Sequence, residues 1–152
     1  MPLTLNKEAF HLMRQLFQEH TAYWQQLLPD LTKPQYSVLR AVAEKPGIEQ
    51  VELIDAAVST KATLAEMLSR LEKRGILRRE HAPEDKRRRF VFLTPAGEQQ
   101  LQQAIPLAGE ADQAFLNRLE QPEQQEFVRL LAKMALEKNG PFTAPSQRKE
   151  ID

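Results

Sequence analysis

Apolar residues recur at helical spacing through most of this chain. From about Leu5 to Leu28, residues Phe10, Met13, Phe17, Trp24 and Leu28 fall three, four or seven apart and so share one helical face. Leu12, Leu16 and Leu27 widen that face beyond what one packed stripe needs, so a second surface, such as another subunit, is expected against it. Pro29 ends the segment. Thr32-Lys33-Pro34-Gln35 then has the form of a capping box: the threonine hydroxyl accepts a first-turn N–H, Gln35 reaches back, and Pro34 gives up no helical bond. Val38, Leu39 and Val42 form the inner stripe of this second helix, and Pro46-Gly47 stops it.

Two shorter helices follow, from about Glu49 to Ala56 and from about Thr60 to Arg74. Only Ala57, Val58 and Ser59 separate them, the length of a helix-turn-helix connection. Leu64, Met67, Leu68 and Leu71 line the second of these, and Gly75 stands where a helix exits through the left-handed region. Beyond Gly75 the period shortens. Ile76 to His81 and Arg89 to Leu93 read as strands around a polar turn at 82–88, a two-stranded hairpin with a charged tip. Thr94-Pro95 caps a helix reaching about Leu119, in which Pro106 predicts a kink. Pro122 restarts a last helix through Leu136, with Phe127, Leu130, Leu131 and Met134 on its apolar face. Residues 138–152 are expected to be a flexible tail.

A length of 152 residues fits one domain. The chain has no cysteine, which excludes disulfides, cysteine-based zinc sites and thiol catalysis. No apolar run approaches the roughly 18 residues of a membrane span, and the start lacks the pattern of a signal peptide, so a cytoplasmic protein is expected. There is no glycine-rich phosphate loop, no His-Glu-x-x-His and no Gly-x-Ser-x-Gly, so neither an enzyme nor a cofactor or metal site is expected.

Net charge is zero, with 21 basic and 21 acidic residues, but the charge is unevenly placed. From Ser59 to Phe90 ten basic residues face five acidic ones, so this window carries +5 and the rest of the chain −5. Positive charge gathered on one helix and one hairpin is an electrostatic footprint for a polyanion. Ser59, Thr60, Lys61 and Thr63, at the start of the second short helix, can bring small hydroxyls and a cation to base edges in a major groove. One of Ser59 and Thr60 also serves as the helix cap. Arg70, Lys86, Arg87, Arg88 and Arg89 extend the basic surface, and an arginine from the hairpin can enter a narrow minor groove. Asp85, two residues before Arg87, can fix that guanidinium in one rotamer.

Leu31-Thr32-Lys33-Pro34-Gln35-Tyr36, Arg70-Leu71-Glu72-Lys73-Arg74-Gly75-Ile76-Leu77-Arg78-Arg79, Asp85-Lys86-Arg87 and Leu93-Thr94-Pro95-Ala96-Gly97 occur in this order. Together they resemble the MarR family of winged helix-turn-helix regulators, over about residues 5–137. The resemblance implies a mainly α fold with a small β-hairpin wing. It implies a DNA-binding lobe at about 32–93 and a homodimerisation lobe from about 5–28 and 95–137. It also implies a repressor of inverted-repeat operators in double-stranded DNA, released by a small aromatic carboxylate such as 4-hydroxybenzoate. A constitutive DNA-binding regulator without a ligand is the alternative.

An aromatic carboxylate needs an apolar slot, a cation for the carboxylate and a partner for a phenol. Arg14, Phe17, His20 and Trp24 on the first helix and Tyr36 and Arg40 on the second are the candidates. Arg40 lies among Val38, Leu39, Ala41 and Val42, and so either snorkels to solvent or anchors an acid.

Overall fold

The computed structural model describes residues 4–137. A short 3₁₀ turn, Thr4–Lys7, leads into helix α1 (Ala9–Leu27). Then come α2 (Lys33–Glu44), strand β1 (Ile48–Glu49), α3 (Gln50–Ala56), α4 (Lys61–Lys73), β2 (Leu77–Ala82), β3 (Asp85–Leu93), α5 (Pro95–Leu116) and α6 (Gln121–Leu136). Helices α3 and α4 with the antiparallel sheet make a winged helix-turn-helix, and α1, α5 and α6 make the helical remainder. No described helix is long and apolar enough to cross a membrane. The tail expected at 138–152 lies outside the described residues.

Local signals set most of the boundaries. The capping box of α2 forms in full: the Gln35 N–H donates to Thr32 Oγ1 at 3.2 Å, and the Thr32 N–H to Gln35 Oε1 at 3.0 Å. Thr60 caps α4, accepting from the Thr63 N–H at 3.3 Å. Gly75, at φ +74°, ends α4: the Ile76 N–H reaches the Leu71 carbonyl at 3.0 Å and the Gly75 N–H that of Glu72 at 3.0 Å. That pair of bonds is a Schellman closure, which turns the chain from α4 into the sheet. The glycine of Thr94-Pro95-Ala96-Gly97 has a different role. A Cβ there would lie 1.9 Å from the Ile76 carbonyl oxygen, so only glycine lets α5 start directly against the base of the hairpin. Helix α5 continues through Pro106 without interruption and stops at Leu116, three residues before the expected end.

The sheet departs from expectation in two ways. It has three strands, ordered β1-β3-β2, because Ile48 and Glu49 pair with Val91 and Phe90 instead of opening α3. The hairpin is also tighter than a turn at 82–88. Ala82 pairs with Asp85 across Pro83 and Glu84, and the next pair is His81 with Arg89. Lys86, Arg87 and Arg88 are left without cross-strand partners, as a bulge in β3. A bulge redirects side chains, and here it collects three cations beside the hairpin turn.

One core joins the lobes. Leu39, Leu53, Leu64, Leu68 and Leu71 pack α2, α3 and α4 together, while Leu101, Ala104, Ala108 and Ala111 bring α5 to them. Trp24 is 4% exposed and its indole N–H donates to the Leu31 carbonyl at 2.7 Å, which pins the α1–α2 junction. By contrast α6 buries no side chain.

Candidate functional site

The basic residues of the 59–90 window divide by whether the chain already supplies an acceptor. Arg79 is deeply set, its side chain 12% exposed. It donates to Glu72 at 3.1 Å, Gln50 at 3.3 Å and Ser69 at 3.4 Å, so it fastens β2 to α3 and α4. That bond holds the Glu72 carboxyl below its ordinary value. Arg74 donates to the Asp30 carbonyl at 3.1 Å, and Arg78 lies over the Phe92 ring at 4.3 Å and pairs with Glu80. Arg70 pairs with Glu66 one turn back, at 2.6 Å. Arg88 reaches across to β1, its Nε 3.0 Å from Glu49 Oε1, and this partner raises its pKa.

Of the other cations, Lys61, Lys73 and Lys86 have no side-chain hydrogen bond or ion pair among the described residues. Lys61 and Thr63 are exposed in the first turn of α4, and Ser59 is half-buried just before its cap. Lys86 is exposed, and Arg89 is half-buried with no side-chain hydrogen bond among the described residues. Arg87 is the most projecting of them, its side chain 93% exposed. Asp85 Oδ1 accepts both the Arg87 N–H, at 2.9 Å, and its Nε–H, at 3.3 Å, which is the orienting contact read from the spacing. The turn before α4 contains Val58 at φ +53°, a left-handed conformation that costs a β-branched residue roughly 1–2 kcal/mol.

The ligand candidates do not converge on one point. Phe17 and Trp24 line a cleft of about 960 Å³ between α1 and the helices α2 and α4, together with Thr21, Gln25, Lys33 and Met67. Tyr36 and Arg40 open on a separate depression with Glu44 and Glu52. Arg40 is half-exposed: it donates to the Tyr36 hydroxyl at 3.1 Å and sits 3.5 Å from Glu44. The Tyr36 bond, with Glu44 adding, raises its pKa. Arg14 is exposed on α1 and lines neither hollow. His20 stands between helices, its Nε2 2.7 Å from Asp112 of α5 and its Nδ1 2.9 Å from Lys33 Nζ.

Lys33, Asp112 and Arg79 were not singled out from the sequence. For Lys33 a signal existed. A lysine in the first turn of a capped helix opposes the helix dipole, so its charge needs a reason. Here the ammonium lies over the Phe17 ring at 5.2 Å, and burial lowers its pKa while Asp112 raises it.

Comparison with known proteins matches this arrangement. Residues 31–88 match the MarR family. The transcriptional regulator HosA of Escherichia coli O157:H7 is 64% identical over 132 residues, 87% of this chain and 98% of that protein. Among solved structures, the PcaV transcriptional regulator of Streptomyces coelicolor, in complex with its natural ligand, superposes with a TM-score of 0.82 at 32% identity, covering 89% of this chain and 96% of that one. BpsR of Bordetella bronchiseptica, described for the regulation of its DNA binding by 6-hydroxynicotinic acid, gives 0.81 at 31% identity over 89% and 98% of the two chains. The chain belongs to the MarR family of transcriptional regulators, and it is a DNA-binding regulator, not an enzyme.

Proposed function

We propose that this protein is a homodimeric, cytoplasmic repressor that a small aromatic carboxylate, such as 4-hydroxybenzoate, releases from an inverted-repeat operator. Residues 5–137 act as one unit, with a DNA-binding lobe at 32–93 flanked by dimerising helices. The observation that carries the reading is the cleft between α1 and the helices α2 and α4, where Phe17, Trp24 and a half-buried cation face one space. A flat aromatic acid fits that chemistry. Two solved relatives described with a natural ligand and with a hydroxylated aromatic acid support it.

Release requires the ligand to bind the DNA-incompetent arrangement of the two recognition helices better than the competent one. A tenfold loss of operator affinity needs about 1.4 kcal/mol of such preference, no more than one charge-assisted hydrogen bond supplies at roughly 1.5–3 kcal/mol. Ser59, Lys61 and Thr63 read bases in the major groove, Thr60 caps their helix, and Arg87, oriented by Asp85, enters the minor groove. Lys86, Arg88, Arg89 and Arg70 add phosphate contacts.

The test is a mobility-shift assay on the DNA upstream of the protein's own gene, with and without 4-hydroxybenzoate. A retarded complex that the acid dissolves is expected. A complex indifferent to this acid and to related arylcarboxylates would favour a constitutive regulator.

A further inference from the structure

We propose that Lys33 is the carboxylate-recognising residue of the inter-lobe cleft, and that an aromatic carboxylate bound there takes the Lys33 ammonium from the His20–Asp112 pair that now holds it. This rests on the ligand-release reading above and names the residue on which that reading turns.

Two cations line the cleft, Lys33 and Arg70. Arg70 is already paired with Glu66, which lines the same cleft. Lys33 has no direct carboxylate partner among the described residues. Its contact is the imidazole of His20, and the nearest compensating charge, Asp112, lies on the far side of that ring. An ammonium cannot accept a hydrogen bond, so Nδ1 of His20 is the acceptor and Nε2 carries the proton donated to Asp112. The negative charge thus reaches Lys33 only through a relay.

The surroundings fit an arylcarboxylate in particular. The Lys33 ammonium sits over Phe17, a ring 64% exposed, and Trp24 forms another part of the wall. A benzoate with its carboxylate at Lys33 can therefore lay its ring along these apolar side chains. The partial burial that makes the lone ammonium costly also strengthens a direct ion pair once one forms. The first turn of α2 adds its own positive end to the same spot. Arg40, the alternative anchor on α2, is committed to Tyr36 and Glu44 outside the cleft.

The relay also joins three elements: His20 is on α1, Lys33 on α2 and Asp112 on α5. When a ligand carboxylate replaces the imidazole at Lys33, the DNA-binding lobe loses a polar tie to the helical lobe. That is a defined contact through which occupancy can alter the spacing of the lobes.

Trp24 is the sole tryptophan and lines the cleft, so its emission reads occupancy in the full-length protein without DNA. The probes are 4-hydroxybenzoate and 4-hydroxybenzamide, which share size and shape; at the recognised end the amide lacks the charge and carries an NH2 donor in place of one acceptor oxygen. The wild-type protein is expected to prefer the acid, and Lys33→Met to lose roughly ten- to a hundredfold in affinity for it while binding the amide within about threefold of wild type. Asp112→Asn removes the competing carboxylate and should tighten the acid by about two- to fivefold, an increase that loss of a merely structural contact would not give. A folded Lys33→Met protein that keeps the acid-over-amide preference overturns the proposal. So does an equal loss in Arg14→Ala or Arg40→Ala with Lys33→Met unaffected. If Lys33→Met does not fold, Asp112→Asn decides, and unchanged or weaker acid binding there overturns it. No response of the wild-type protein to either probe, by emission or by thermal shift, removes the ligand-release reading itself and the Lys33 assignment with it.

Discussion

Arg79 and Arg87 are the same residue type eight positions apart in one basic run, and their neighbours give them opposite tasks. Arg79 is nearly enclosed by Glu72, Gln50 and Ser69, whereas Arg87 projects into solvent with only Asp85 beside it. Arg79→Met should destabilise the fold by about 1–2 kcal/mol, the range of charged hydrogen bonds discounted for the half-exposed Glu72. Arg87→Ala should stay within about 0.5 kcal/mol of wild type. Urea unfolding at a fixed protomer concentration makes the comparison. The pH dependence adds a second check. Glu72 has its folded-state pKa depressed below 4.5, so its contribution is present above that value and lost as pH falls through the folded one. The gap between wild type and Arg79→Met should therefore narrow on acidification below the ordinary carboxylate range, and a constant gap would show that Arg79 does not act through Glu72. Which arginine is which was not legible in the sequence, because the difference lies in Gln50 and Ser69, brought up by other elements. The pairing of Asp85 with Arg87 was legible, since it is local.

At the scale of elements, the helices were readable and the sheet only partly so. The capping box of α2, the first-turn prolines and the exit glycine are local chemistry, and each places a boundary in the structure where the sequence puts it. Strand β1 has two residues, too few for a period to show, and exists only because Phe90 and Val91 pair with it. Lys86-Arg87-Arg88 resembled a turn because a bulge, like a turn, has no cross-strand partner to demand alternation. The apolar faces of α1 and α6 were legible as well. Phe10 is 69% exposed, and Leu130, Leu131 and Met134 are 46%, 37% and 59% exposed. Contiguous exposed apolar surface of this kind marks an association site. Leu131→Glu puts a charge in the middle of the α6 face, where burial in a dimer costs several kcal/mol. The expected result is a monomer by sedimentation at micromolar concentration, with operator binding lost. A dimer that persists in this variant would place the interface elsewhere.

For the whole molecule, the neutral total charge hides a dipolar arrangement, +5 on the window from Ser59 to Phe90 and −5 on the rest. Association with DNA should accordingly depend steeply on salt. At the start of α4 and in the wing, four cations lack a carboxylate partner or project freely: Lys61, Lys86, Arg87 and Arg89. If these alone neutralise phosphate charge, eight cations in a dimer give a slope of log K against log salt of about −7. Arg87→Ala removes one contact from each protomer and should make that slope shallower by roughly 2. Arg88 is the instructive contrast, because its guanidinium is held by Glu49. Deleting Arg88 alone would expose an uncompensated carboxylate and confuse contact with charge. Deleting both, as Arg88→Ala with Glu49→Gln, leaves the net charge unchanged. If Arg88 serves the sheet, this double variant keeps the wild-type slope and loses stability instead. If Arg88 leaves Glu49 to reach phosphate, the slope falls as it does for Arg87→Ala. Binding isotherms on one operator duplex across a salt series separate the two cases. A slope lowered equally by both variants would show that the Glu49 pair opens on DNA and that the whole bulge, not Arg87 alone, engages the duplex.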